Sequence, residues 1–142
     1  MPFVRITVGA SRSEPVREAI ADGVHNAMIS AIGIPEGDRF QVVDAQPSSA
    51  LHFDPEYLDI DRRDPVLVEI TLVTGRNQAK KRALYQAIAA NLAEVDVRPQ
   101  DVMVILHETT REDWSFGNGE MQMFDEPLLR KYGWTPPDEQ SG

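Results

Sequence analysis

The chain predicts an α/β (α+β) fold: a tandem β-α-β repeat that builds a four-stranded sheet with two helices on one face. Three observations point there. A self-match at an offset of 64 positions carries Val4-Arg5-Ile6-Thr7-Val8 onto Val68-Glu69-Ile70-Thr71-Leu72 and Pro35 onto Pro99, and an offset one shorter carries Asp38 onto Asp101. Such self-similarity marks a duplicated supersecondary unit. Each matching strand precedes an apolar pattern of helical period, and each of those patterns ends in a turn before another β-branched run. With 142 residues, the chain is expected to be one domain, 1–142, with halves at about 2–46 and 65–108 and a carboxy-terminal segment at 109–142.

In the first half, Phe3 to Val8 is rich in strand formers, with Val4, Ile6 and Val8 on one face and Arg5 and Thr7 on the other. Ser11-Arg12-Ser13-Glu14 has the form of a capping box, and Pro15 suits an early helical position. Val16, Ile20, Val24, Met28 and Ile32 then recur every four residues, joined by Ala19, Ala27 and Ala31, as one helix face against a sheet. Gly33 ends that helix, and Phe40 to Val43 is the second strand. The second half repeats the pattern: strand at Val66 to Val73, turn at Gly75-Arg76-Asn77, helix at Gln78 to Glu94 with Leu84, Ala87, Ile88 and Leu92 inward. Val102 to Leu106 is a near-continuous apolar run, which suits a strand buried on both faces, or at least centrally placed. Residues 47–64 read as a long polar excursion, and the Pro136-Pro137 tail as loose. Two helices cover one sheet face only, so the other is expected to be covered by oligomerisation.

Composition narrows the function. Cysteine is absent, which excludes disulfides and thiolate metal sites. A net charge of −9 argues against nucleic acid as a partner. No stretch approaches the roughly 20 apolar residues that cross a bilayer, so no membrane partner and a cytoplasmic location are the expectation. His25, His52 and His107 are scattered, no nucleophile-elbow serine is present, and the carboxylates lie in no metal-ligand spacing. Neither a metal nor a cofactor is expected.

Met1-Pro2 offers another kind of chemistry. Removal of Met1 exposes a secondary amine in a rigid ring, with a pKa near 8 before its surroundings act. Desolvation or nearby cations lower it toward neutrality, where it serves as a general base or, protonated, as a general acid. Arg76, in the turn after the third strand, is either a solvent-exposed turn charge or a guanidinium fork for a carboxylate. Asp38 either caps a turn or joins the site; Trp114 and Phe116 are either core aromatics or a pocket wall carried on a Gly-rich loop.

Four segments together resemble the tautomerase superfamily, on its malonate semialdehyde decarboxylase-like branch. They are Met1-Pro2, the string from Gly33 to Val43 (GIPEGDRFQVV), Gly75 to Lys81 (GRNQAKK), and Glu112 to Gly119 (EDWSFGNG). The resemblance implies a tautomerase/MIF-like fold assembled as a homotrimer and a cofactor-independent enzyme, isomerase or lyase, acting on a small carboxylate-bearing oxo acid by tautomerisation or decarboxylation. By the same resemblance, Pro2 is the catalytic amine, Asp38 works with it, Arg76 binds the carboxylate, and Trp114 and Phe116 form the apolar wall. Thr74 occupies the substrate-binding position where the pattern has a second arginine, which leaves Arg5, Arg39 or another subunit to supply a second cation. Hydration or dehalogenation of a 3-haloacrylate-like acid, and a non-catalytic binding role, are the alternative readings.

Overall fold

The computed structural model describes residues 2–135. Its order is β1 (Pro2–Gly9), α1 (Glu14–Ile32), β2 (Gln41–Gln46), β3 (Val66–Val73), α2 (Gln78–Ala93), β4 (Val102–Thr109) and a short α3 (Glu126–Lys131). The four strands form one sheet in the order β2-β1-β3-β4. Within each half the strands are parallel, and the halves join antiparallel through β1 and β3. This is the duplicated β-α-β sheet the repeat predicts.

The core lies between the sheet and α1 and α2. Val4, Ile6 and Val8 of β1 and Val66, Val68, Ile70 and Leu72 of β3 are buried against Ile20, Val24, Met28 and Ile32 of α1 and Leu84, Ile88 and Leu92 of α2. Each such side chain contributes about 1.5–3 kcal/mol through burial. The helices meet closely at Gly23, where a Cβ would lie 3.1 Å from Leu92 Cδ2. There Asn91 Nδ2 donates to the Gly23 carbonyl at 2.9 Å, and a Cβ at Gly23 would require the Leu92 side chain to give way by a few tenths of an ångström.

Local signals set the helix ends. The α1 cap is Ser13, whose Oγ accepts from Val16 N, rather than Ser11 as in the expected capping box. Gly33 closes α1 in the left-handed region at φ 68°, a conformation glycine adopts without strain. Asn77 caps α2 by accepting from Lys80 N.

Three expectations change. β4 is an edge strand, not a central one: it pairs with β3 alone, and Met103 and Ile105 stand outward, 55% and 45% exposed. Its apolar run reflects one face on the core and one face bare. The strand also continues to Thr109, and β2 begins one residue after Phe40. The bare sheet face is not purely apolar, because an Arg5–Asp44 ion pair crosses it and His107 Nε2 lies 3.6 Å from Glu69 Oε1, beside Phe3, Met103 and Ile105. No described helix is long and apolar enough to cross a membrane. The expected loose tail at Pro136-Pro137 lies outside the described residues.

Candidate active site

Strand direction brings the sequence candidates to one end of the sheet. β1 and β2 start there, and β3 and β4 finish there. Pro2 pairs with Leu72, so the third strand's exit, Thr74 to Arg76, leaves beside the first residue of β1. On the other side, Val4 N donates to the Phe40 carbonyl at 2.9 Å, which ties β1 to the turn holding Asp38. Pro2 is buried and, by strand alternation, shares the helix-facing side with Val4 and Ile6.

Asp38 is 8% exposed and both its carboxylate oxygens are shielded from solvent. Its turn is pinned by Asp38 N donating to the Pro35 carbonyl at 3.0 Å and by the buried His25 ring, whose Nε2 lies 2.8 Å from the Glu36 carbonyl. His25 is thus a packing residue. Arg76 is buried as well, so it is no solvent-exposed turn charge. Its guanidinium donates to the Val73 and Ile32 carbonyls at 3.3 and 3.4 Å, long bonds to neutral acceptors. Burial pushes the Arg76 pKa down, while the charges of Asp38 and Glu108 oppose that shift. A buried cation whose hydrogen bonds, among the described residues, go to carbonyls is suited to receive a carboxylate, since charge-assisted bonds to guanidinium are the stronger kind.

Thr74 is exposed, but its hydroxyl is engaged. Its Oγ1 donates to Glu108 Oε2 at 2.6 Å, and Lys81 Nζ donates to Glu108 Oε1. These two hydrogen bonds hold the Glu108 carboxyl below the usual carboxylate range. The two arginines in this chain suggested as replacements for the missing cation are engaged elsewhere: Arg5 with Asp44 on the bare sheet face, and Arg39 with Asp22 and Gln41.

The aromatics form the other wall. Trp114 and Phe116 stack with centroids 5.4 Å apart, and Phe116 meets Phe40 at 5.8 Å. Trp114 Nε1 donates to Thr109 Oγ1 at 2.7 Å, and that hydroxyl donates to the Leu72 carbonyl, so the indole is fixed to the sheet's end. Both aromatics are half-buried and pack with Val73, Met123, Leu129 and Trp134 in a small second core under the carboxy-terminal segment. A cavity of about 450 Å³ opens beside them, lined by Asp38, Phe40, Phe116, Leu128, Tyr132 and Trp134 among others. Among the described residues no group of three His, Asp or Glu could hold a metal ion.

Pro2, Asp38, Thr74, Arg76, Trp114 and Phe116 therefore occupy one end of the molecule. Glu108, Lys81 and Phe40 join them without having been singled out in the sequence. Only strand register reveals Glu108 and Lys81; Phe40 carried a signal, an aromatic two residues after Asp38, but read as strand.

A family model described as tautomerase enzyme matches residues 38–117, and a second with the same description matches 2–58. The chain belongs to the tautomerase family. It is 39% identical over 127 residues to the probable tautomerase YusQ of Bacillus subtilis (strain 168), covering 88% of this chain and all of that one. Among solved structures, the FG41 malonate semialdehyde decarboxylase inhibited by 3-bromopropiolate superimposes with a TM-score of 0.80 at 34% identity, covering 89% of this chain and 97% of that one. A second malonate semialdehyde decarboxylase, studied for its decarboxylase and hydratase activities, gives 0.82 at 26% identity over 89% and 98%. Fused 4-OT, solved as a trimer, shares the fold at 18% identity with a TM-score of 0.70 over 83% and 94%. The tautomerase fold and the malonate semialdehyde decarboxylase-like branch are thereby assigned.

Proposed function

We propose that this tautomerase uses the secondary amine of Pro2, freed by removal of Met1, to move a proton on a small oxo acid, by tautomerisation or decarboxylation. The observation that carries the reading is the pairing of Pro2 with Leu72, which sets the ring at the end of the sheet where Asp38 and Arg76 meet electrostatically. In tautomerisation, neutral Pro2 takes the enol proton from oxygen and returns it to carbon. In decarboxylation, Arg76 holds the carboxylate and protonated Pro2 neutralises the carbonyl oxygen as charge builds there. The bond to the carboxyl carbon breaks and carbon dioxide leaves; the enol then takes a proton from water at carbon while its hydroxyl proton returns to Pro2. The Trp114, Phe116 and Phe40 wall favours that step, because it disfavours the charged carboxylate relative to neutral products. Asp38 opposes the lowering of the amine's pKa, whereas Arg76 and burial promote it. The names of the relatives support both reactions.

A homotrimer belongs to the same reading. The bare sheet face mixes Phe3, Met103 and Ile105 with the Arg5–Asp44 ion pair and the polar His107 and Glu69, a composition suited to an interface, and fused 4-OT of the same fold is a trimer. The test is the processed protein, its terminus verified by mass, assayed for phenylenolpyruvate ketonisation and malonate semialdehyde decarboxylation. Replacing Pro2 by Ala should cost at least about 100-fold in kcat. Survival of both activities in Pro2→Ala would remove the amine from the mechanism.

A further inference from the structure

Pro2, Leu72 and Glu108 lie side by side in one register row across β1, β3 and β4. With strands about 4.8 Å apart, Glu108 stands roughly 10 Å from Pro2 backbone to backbone, the span of a small substrate. Glu108 alternates with Val104 and Leu106, which pack on the core, so it shares the helix-facing side with Pro2. Lys81 of α2 and Thr74 at the exit of β3 both donate to it.

We propose that the Thr74–Glu108–Lys81 group is a specificity filter that admits oxo acids with one carboxylate and turns away dicarboxylates. This rests on the proposed reaction at Pro2 and Arg76, and it names the substrate class. Among the described residues Arg76 is a buried cation hydrogen-bonded to carbonyl oxygens alone, so one substrate carboxylate has its place there. A second carboxylate pointing along the row toward β4 meets Glu108. The Lys81 charge is already neutralised by that carboxylate, and the Thr74 hydroxyl proton is already given to it. Glu108 is anionic at neutral pH because both donors favour its charged form. A second carboxylate would therefore face the Glu108 charge with the Thr74 proton already given away and the Lys81 charge already offset, an arrangement that interfaces use for rejection. A neutral end suffers no such penalty, and a hydroxyl end can donate to the lone pairs Glu108 retains. An arginine at position 74 would have made this end of the site cationic; Thr74 makes it an acceptor.

The experiment compares Met1-free wild type with Glu108→Gln on phenylenolpyruvate, a monocarboxylate, and on the enol of oxaloacetate, a dicarboxylate. Wild type should prefer the monocarboxylate, and Glu108→Gln should raise the dicarboxylate-to-monocarboxylate ratio of kcat/KM at least about tenfold. The double variant Glu108→Gln/Lys81→Met should lose most of that gain, because the Lys81 ammonium released from Glu108 is what would bind the second carboxylate. An unchanged ratio in Glu108→Gln, or a wild type that handles both enols equally, overturns the filter. Calorimetric competition between 2-oxoglutarate and 2-oxobutyrate reads the same preference without turnover. If that preference shifts as stated while Pro2→Ala keeps its activity, the Pro2 mechanism fails and the filter stands. If Pro2→Ala is inactive and the preference does not shift, the mechanism stands and the filter fails.

Discussion

The two ends of the sheet are built from repeat-related residues, and they do different things. At the far end from Pro2, Asp101 occupies the place that Asp38 has in the first half, and Arg12, three residues past β1, the place that Arg76 has past β3. Asp101 is 3% exposed and its Oδ1 accepts from the Arg63 and Asp64 amides, fastening the chain just before β3 begins. Arg12 donates to the Asp64 carbonyl at 2.7 Å and lies 3.2 Å from the Asp64 carboxylate. That end is closed on itself: aspartate on amides, arginine on an aspartate. At the Pro2 end, the hydrogen bonds of Arg76 among the described residues go only to carbonyls, and in the proposed reading the strand begins with an amine. The lesson is that one pair of charged residues braces a chain or serves a ligand according to whether the chain itself supplies the counter-groups.

Making the open end resemble the closed one should have the largest effect. An extension that leaves Pro2 in an amide bond removes its basic nitrogen, and activity should fall at least about 100-fold. The melting temperature should stay within a few degrees, since the site lies at the end of a sheet whose core is untouched; kinetics and a thermal melt on one sample check both.

The paired aspartates come next. Asp38→Asn should lower kcat about tenfold or more with little loss of stability. Asp101→Asn should leave the kinetics intact and cost about 1–3 kcal/mol, because a buried carboxylate accepting two backbone N–H groups would be replaced by an amide that satisfies them less well. Steady-state kinetics beside urea unfolding separates the two, and equal effects on both readouts would erase the comparison.

The arginines should follow the same split more mildly. Arg76→Lys should raise KM for a monocarboxylic oxo acid about tenfold, since lysine lacks the bidentate fork. Arg12→Lys should alter only the melting temperature, and slightly.

The smallest expected effect is on acid stability. Lys81 and Thr74 hold the folded Glu108 pKa below its unfolded value, so its contribution is present above the unfolded pKa, near 4.3, and is lost as pH falls through the folded one. Unfolding midpoints measured between pH 6 and pH 3 should therefore fall less steeply in Glu108→Gln than in wild type.

Much of the fold was legible because its signals are local. The four-residue recurrence from Val16 to Ile32, the glycine at position 33 and the β-branched run from Val66 to Val73 act within one element, where period and propensity suffice. The repeat added the order of elements. β4 was misread as central because an apolar run reports that its residues favour a strand, not how many neighbours the strand has; Met103 and Ile105 are outward on an edge. Trp114 and Phe116 were recognisable as a pair on a loop, but not that Phe40 would meet Phe116 from the first half.

The sequence by itself determined the duplicated β-α-β units, the family, and the residue types that could carry chemistry. Only the tertiary structure decided which end of the sheet holds them, because that depends on β1 and β3 running antiparallel, and pairing direction is set by long-range packing. The same pairing decided that Arg76 is buried and that Thr74 answers to Glu108 and Lys81. A side chain's neighbours across a sheet come from register, and register exists only once the strands have met.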